Sequence, residues 1–260
     1  MTPAGGGAPA GNRAELRVVG TTVGREIEQL LDAVERSVGR RMPRVLQVGS
    51  RMAMADRNER NWRALIEKRF AGKAGFVGID LVAGNNVDHV LDICSDARTV
   101  RRQLGPEPFD LVICCHVLEH TREPRRAARN IEDALRAGGG MAYVATPWSQ
   151  AFHATPDDYW RFSVRGLMLL FKRLDVISAF YSGGDVGLDV AYRVMCDGKP
   201  ELESRAGAVE QGLFQLVLDH EQNRNLLARQ ATERLPVSRT YLPTLFVNLV
   251  AQRRRERQRK

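Results

Sequence analysis

The chain has no apolar run approaching the ~20 residues that a membrane-spanning helix requires, no CxxC pair and no internal repeat. Its cysteines are few: Cys94, Cys114, Cys115 and Cys196, two of them adjacent inside an apolar stretch. That usage suits reduced thiols in a cytoplasm rather than a disulfide framework, and a cytoplasmic protein is expected. Without paired ligand spacing, a zinc site is not expected. The first dozen residues lack the charged-then-apolar order of a secretory signal, and residues 1–13 read as a flexible Gly/Ala/Pro-rich leader. No RNA- or DNA-binding module is recognisable. A net charge of +8, from 39 Lys and Arg against 31 Asp and Glu, favours anionic partners in principle. Much of the excess nonetheless sits in Arg-rich surfaces and in a basic tail, 252–260, which holds five arginines and Lys260 against one glutamate.

What is present is a chain of 260 residues, 43% hydrophobic, long enough to bury a sizeable core. Val23, Ile27, Leu30, Leu31 and Val34 recur at three- and four-residue steps and predict a helix over 14–40. Short apolar runs then alternate with helical segments. Strands are predicted at 44–48, 76–80, 87–91, 109–115 and 141–146, the last closed by Pro147, with helices at 56–70, 98–104 and 125–136. Phe109 to Cys115 is almost wholly apolar, as befits a strand covered on both faces. After Pro147 come an aromatic-rich loop (148–162), a helix (164–171), a sixth strand (174–181), a helix (213–229) and a last strand (242–251). The alternation predicts an α/β fold with a doubly wound sheet. One domain over 14–251 is expected, with 185–236 inserted before the final strand.

In such a sheet ligands bind beyond the carboxyl ends of the strands, so the residues that follow each strand carry the information. Gly49, Ser50 and Arg51 follow the first strand, and a glycine there permits a sharp turn and close approach of a ligand to the backbone. Asp80 ends the second and can accept hydrogen bonds from both hydroxyls of a ribose. Asp92, with Asp96 four residues on, follows the third and suits an adenine amino group. His116, Glu119 and His120 follow the fourth. Each has a plainer role as turn residue, helix cap or surface group. Acids at the ends of strands two and three together point to a nucleoside site.

RVLQVGS (44–50), FVGIDL (76–81), VDHVLDI (87–93), FDLVICCHVLEH (109–120) and AGGGMAYVATP (137–147) resemble successive motifs of class I S-adenosylmethionine-dependent methyltransferases, the type 11 branch above all; HATPDDYWRF (153–162) resembles a loop of some members. The resemblance spans about 44–181. It implies a Rossmann-like, mostly parallel seven-stranded sheet with an antiparallel last strand, and S-adenosyl-L-methionine as cofactor. It places the ribose at Asp80 and Leu81, the adenine around Asp92 and Ile93, and the methionine end near Gln47, Gly49, Ser50, Cys115 and His116. The chain departs from the family in one place. Gln47 stands where an acid usually precedes a run of glycines, and only one glycine follows it. A neutral acceptor forms weaker bonds than a charged one. Trp62-Arg63 resembles a variant in which this loop is rebuilt.

Methyl transfer needs alignment and exclusion of water more than a base, although a hydroxyl acceptor must lose its proton. His153 and His120 are the candidate catalytic residues, because a histidine titrates near neutrality. The expected activity is O- or N-methylation of a small molecule such as a sugar or secondary metabolite, in a protein that can form a homodimer. Alternatives are a catalytically degenerate member acting as a binding or assembly partner, and a nucleic-acid methyltransferase, against which the lack of an NPPY-type tetrapeptide after strand four argues. The absence of GxGxxG after strand one argues against a nicotinamide-dependent dehydrogenase.

Overall fold

The computed structural model describes residues 17–51, 61–150, 152–153, 156–183, 190–193 and 245–254. In chain order the elements are β1 (Arg17–Val18), α1 (Val19–Val38), β2 (Arg44–Val48), α2 (Trp62–Arg69), β3 (Gly75–Asp80), β4 (His89–Val90), α3 (Ala97–Leu104), β5 (Leu111–Cys115) and a 3₁₀ turn at Leu118–His120. They continue with α4 (Pro124–Ala134), β6 (Met141–Ser149), α5 (Val164–Leu170), β7 (Leu174–Gly183), β8 (Val190–Arg193) and β9 (Leu245–Arg253). The predicted leader, the helix at 213–229, most of the 185–236 insertion and the tail beyond Arg254 lie outside the described residues.

One sheet holds all nine described strands in the order β1-β8-β7-β9-β6-β5-β2-β3-β4. β4, β3, β2, β5 and β6 pair in parallel, and β9 runs antiparallel between β6 and β7. The expected seven-stranded unit with its reversed last strand is therefore present. β8, from the predicted insertion, and β1 extend it beyond β7. β2 lies between β3 and β5, so the winding direction changes there and a crevice opens above the carboxyl ends of those strands.

Strand periodicity separates two cores. Leu111 and Ile113 of β5 face one side with Val45, Met141 and Tyr143; there Ile27, Leu30, Leu31 and Val34 of α1 join Trp62 and Ile66 of α2. Val112 and Cys114 face the other side with Leu46, Ala142 and Val144, beneath Val100 of α3, Ile131 of α4 and Leu167 of α5. Helix starts are capped locally: Asn61, Asp96 and Ser163 accept backbone amides at the heads of α2, α3 and α5, and Pro124 opens α4.

Several element boundaries differ from expectation, three of them in ways that matter to the sheet. The third strand shrinks to His89–Val90, an exposed edge pair. β6 does not stop at Pro147 but runs to Ser149; beyond Ala145 it pairs with β9 alone, and a proline is tolerated beside an open edge. β9 continues through Arg253, so the first residues of the predicted tail belong to the sheet.

Buried charges at the amino edge of the sheet are fully paired. Asp110, just before β5, accepts from Arg41 (2.6 and 2.7 Å), the Arg44 amide (2.9 Å) and Arg136 (2.6 Å). Burial pushes its carboxyl up, but these donors outweigh burial and hold it below the ordinary value. Glu132 of α4 is clamped by the Arg173 amide and Nε, both at 2.8 Å. Among the described residues no helix is long and apolar enough to cross a membrane.

Candidate functional site

The turn after β2 fixes the floor of the crevice. The amides of Gly49 and Ser50 both donate to the Ile79 carbonyl, at 2.9 and 3.0 Å, which folds the chain back over β3. Gly49 has φ +71°, and a Cβ there would lie 2.3 Å from Val117 Cγ2; only glycine fits. Ser50 is wholly buried and sits over Gly78, where a Cβ would come within 1.9 Å of the Asn86 carbonyl and 2.6 Å of Ser50 Oγ. Sequence reading passed over Gly78, although a glycine inside an apolar strand signals a close approach of this kind.

A cleft of about 290 Å³ opens above this floor. Its walls come from four strand ends: Gly49 and Arg51 after β2, Asp80, Leu81 and Val82 at β3, Leu91, Asp92 and Ile93 after β4, and Cys115 and His116 at β5. His120, Thr121 and Pro156 complete it. Asp80 accepts from the Arg51 and Val82 amides at 3.2 Å each, long bonds that leave both oxygens able to accept more. Asp92 accepts the Cys94 amide at 2.7 Å. Asp96 is the cap of α3 and does not wall the cleft. Leu81 and Val82 expose about half their surface, 52% and 51%, beside a carboxylate. Seven of the nine predicted cofactor residues thus line one cleft. Gln47 and Ser50 do not; both are buried, each with a side-chain oxygen that accepts or donates no hydrogen bond.

Beside the cleft lies a second group. Glu119, in the 3₁₀ turn, is completely buried, and neither carboxylate oxygen has a hydrogen-bond partner. His116 Nδ1 lies 3.7 Å and His120 Nε2 3.8 Å from its Oε1. Burial raises its carboxyl to about 8. His120 Nδ1 lies 2.5 Å from the Asp157 carbonyl. A carbonyl only accepts, so Nδ1 carries a proton, and in the neutral ring the electron pair is on Nε2, on the side of Glu119. The His153 ring meets the His120 ring edge-on at 4.9 Å. His153 does not itself line the cleft but reaches it through His120.

The loop that supplies His153 is laced to the 3₁₀ turn. The Tyr159 and Trp160 amides donate to the Glu119 carbonyl at 2.8 and 3.3 Å, and Trp160 Nε1 donates to the Thr121 carbonyl at 2.8 Å. Asp158 is clamped by Arg161 at 2.5 and 2.6 Å, which holds its carboxyl at about 2, and Asp158 Oδ2 in turn lies 3.2 Å from His153 Nδ1. Phe162 joins the core, whereas Tyr159 and Trp160 are exposed. Trp62 and Arg63 are structural: the indole packs on Tyr143 at 5.3 Å, and the guanidinium covers the Phe76 ring and pairs with Asp88 at 2.5 Å.

Residues 50–141, about a third of the chain, match the model of a methyltransferase domain family. No curated protein gives a significant match. Among solved structures, the N-methyltransferase NodS of Bradyrhizobium japonicum WM9, in complex with S-adenosyl-L-homocysteine, is similar at 15% identity and TM-score 0.40, over 70% of this chain and 93% of that one. A putative sarcosine dimethylglycine methyltransferase of Galdieria sulphuraria is similar at 10% identity and TM-score 0.46, over 88% and 85%. The [4+2]-cyclase SpnF is similar at 17% identity and TM-score 0.43, over 89% and 83%. Residues 50–141 are thus similar to a methyltransferase domain, and they sit within a Rossmann-like, mostly parallel sheet.

Proposed function

We propose that this protein is an S-adenosylmethionine-dependent methyltransferase acting on a small molecule. The observation that carries the reading is Asp80, a carboxylate with spare acceptor capacity at the cleft, flanked by the exposed apolar side chains of Leu81 and Val82. An acid beside apolar walls fits a ribose joined to a purine. The Gly49 turn, where a Cβ would strike Val117, leaves backbone open for the amino-acid end of the nucleoside, with Cys115 and His116 facing it. Asp92 and Ile93 would flank the adenine.

When bound, the nucleoside supplies an activated sulfonium methyl. The chain's own work is to align an oxygen or nitrogen acceptor with that methyl and to keep water away. His116, His120 and Thr121 would face the acceptor. The electron pair on His120 Nε2, backed by Glu119, can take up a hydroxyl proton, and His153 stands behind it. One feature favours a second reading, a domain that keeps the fold without catalysis: Gln47 replaces the usual acid, and its oxygen is buried without a partner.

Calorimetric titration with S-adenosylmethionine and S-adenosylhomocysteine separates the two. Micromolar binding, about −8 kcal/mol, that disappears in Asp80→Ala supports the enzyme reading and justifies a screen of hydroxyl and amine acceptors. Absence of binding to either nucleoside overturns it in favour of the non-catalytic reading.

A further inference from the structure

We infer that Glu119, His120 and His153 form a binding site for one divalent transition-metal ion at the edge of the cleft. A ligating atom of each lies within 4.8 Å of those of the other two. The ligands of a tetrahedral site with bonds near 2.1 Å stand roughly 3.4 Å apart, and His120 Nε2 is already 3.8 Å from Glu119 Oε1. Small side-chain rotations close the set.

Two further features point to a cation. The Glu119 carboxylate is entirely buried with both oxygens unpartnered, and a buried acid without donors needs either a proton or a cation. Each histidine is also held from behind as metal-ligating histidines are: His120 Nδ1 by the Asp157 carbonyl at 2.5 Å, and His153 by Asp158 at 3.2 Å, itself fixed by Arg161. Such backing sets ring orientation and tautomer and raises the basicity of the ligating nitrogen. Two imidazoles and one carboxylate suit zinc, manganese, iron or cobalt rather than magnesium or calcium, which prefer oxygen donors. The cation takes the place of the proton at this cluster, and with it bound His120 Nε2 is a ligand and not a proton acceptor. Sequence reading expects no metal because it seeks paired spacing, whereas two of these ligands are adjacent and the third is 33 residues away in a loop.

The test uses the full chain, stripped with chelator and titrated with Co²⁺ while visible absorption is recorded, with no nucleoside present; its outcome is therefore independent of the methyltransferase reading. One equivalent of cobalt with d–d absorption is expected. Glu119→Gln and His153→Ala each weaken cobalt binding at least tenfold while thermal melts show a folded protein, and His89→Ala, on the exposed edge strand, leaves it unchanged. The inference is overturned by absence of d–d absorption at millimolar cobalt, by a band that survives both substitutions, or by a thiolate charge-transfer band, which would place the metal on cysteine.

Discussion

At the amino edge of the sheet, Asp110 and Glu132 are buried and every carboxylate oxygen meets an arginine or an amide. At the carboxyl edge Glu119 is buried at least as deeply and meets neither, and Gln47, Ser50, Thr146 and Gln150 also keep a buried oxygen without a partner there. Native proteins pair nearly all such groups, so a cluster of exceptions on one edge is informative. The first edge is finished in the folded chain and serves stability. The second is left unfinished, as the two proposed binding sites require. Burial alone does not distinguish a structural charge from a functional one; the presence or absence of partners does.

The comparison breaks first, if it breaks, at Asp110. Replacing it by alanine strands Arg41 and Arg136 and should cost about 3–5 kcal/mol in urea unfolding, with nucleoside affinity unchanged per folded molecule. Because its carboxyl is held below the ordinary value, its contribution is complete above the unfolded-state pKa near 4 and is lost as pH falls through the lower folded-state value. Asp110→Asn should flatten that part of the acid limb. Gly49→Ala comes next, at about 1–3 kcal/mol from the positive φ and the clash with Val117; it should also weaken nucleoside binding, which links floor and cleft. Asp80→Ala should raise the nucleoside Kd about 10- to 100-fold, some 1.5–3 kcal/mol, with the melting temperature nearly unmoved. Glu119→Gln sharpens the contrast most directly: with chelator present, stability should hold or rise by about 1 kcal/mol, and a loss as large as that at Asp110 would falsify the distinction between the edges. The smallest effect is expected at Leu81→Ser, a roughly threefold loss of nucleoside affinity measured by calorimetry and no change in unfolding.

Much of the parallel sheet was legible because strand ends and turns are local. β2, β3, β5 and α3 fall within a few residues of their predicted positions, and Asp80, Asp92 and His116 follow from them; the first residues of the helix expected at 56–70 lie outside the described residues. The edges were less legible. Whether Val87 to Leu91 pairs along its length depends on what lies beside it, and only His89 and Val90 pair with β3. Pro147 reads as a stop, but β6 continues on a partner, β9, that is a hundred residues away. The Glu119 cluster was legible only in part. Its residues stood out singly, but their grouping depends on a loop folding back onto a 3₁₀ turn, and no periodicity encodes that. Asp110 was missed because the run 109–115 was read for its apolar residues, and nothing local shows that Arg41 and Arg136 converge on its one acid.

The position of β9 sets an order on the making of the molecule. It is the last described strand in the chain, yet it fills the gap between β6 and β7. Roughly sixty residues separate it from β7, which at 5–20 residues per second is about 3–12 s of synthesis. For that interval the inner edges of β6 and β7 lack their partner, and the Phe246 ring, whose centroid later lies 4.7 Å from that of His116, is missing. His116, which walls the cleft, therefore gains this neighbour only when β9 arrives. A fragment that stops short of Leu245 should retain the nucleoside half of the cleft while presenting two open strand edges to its neighbours.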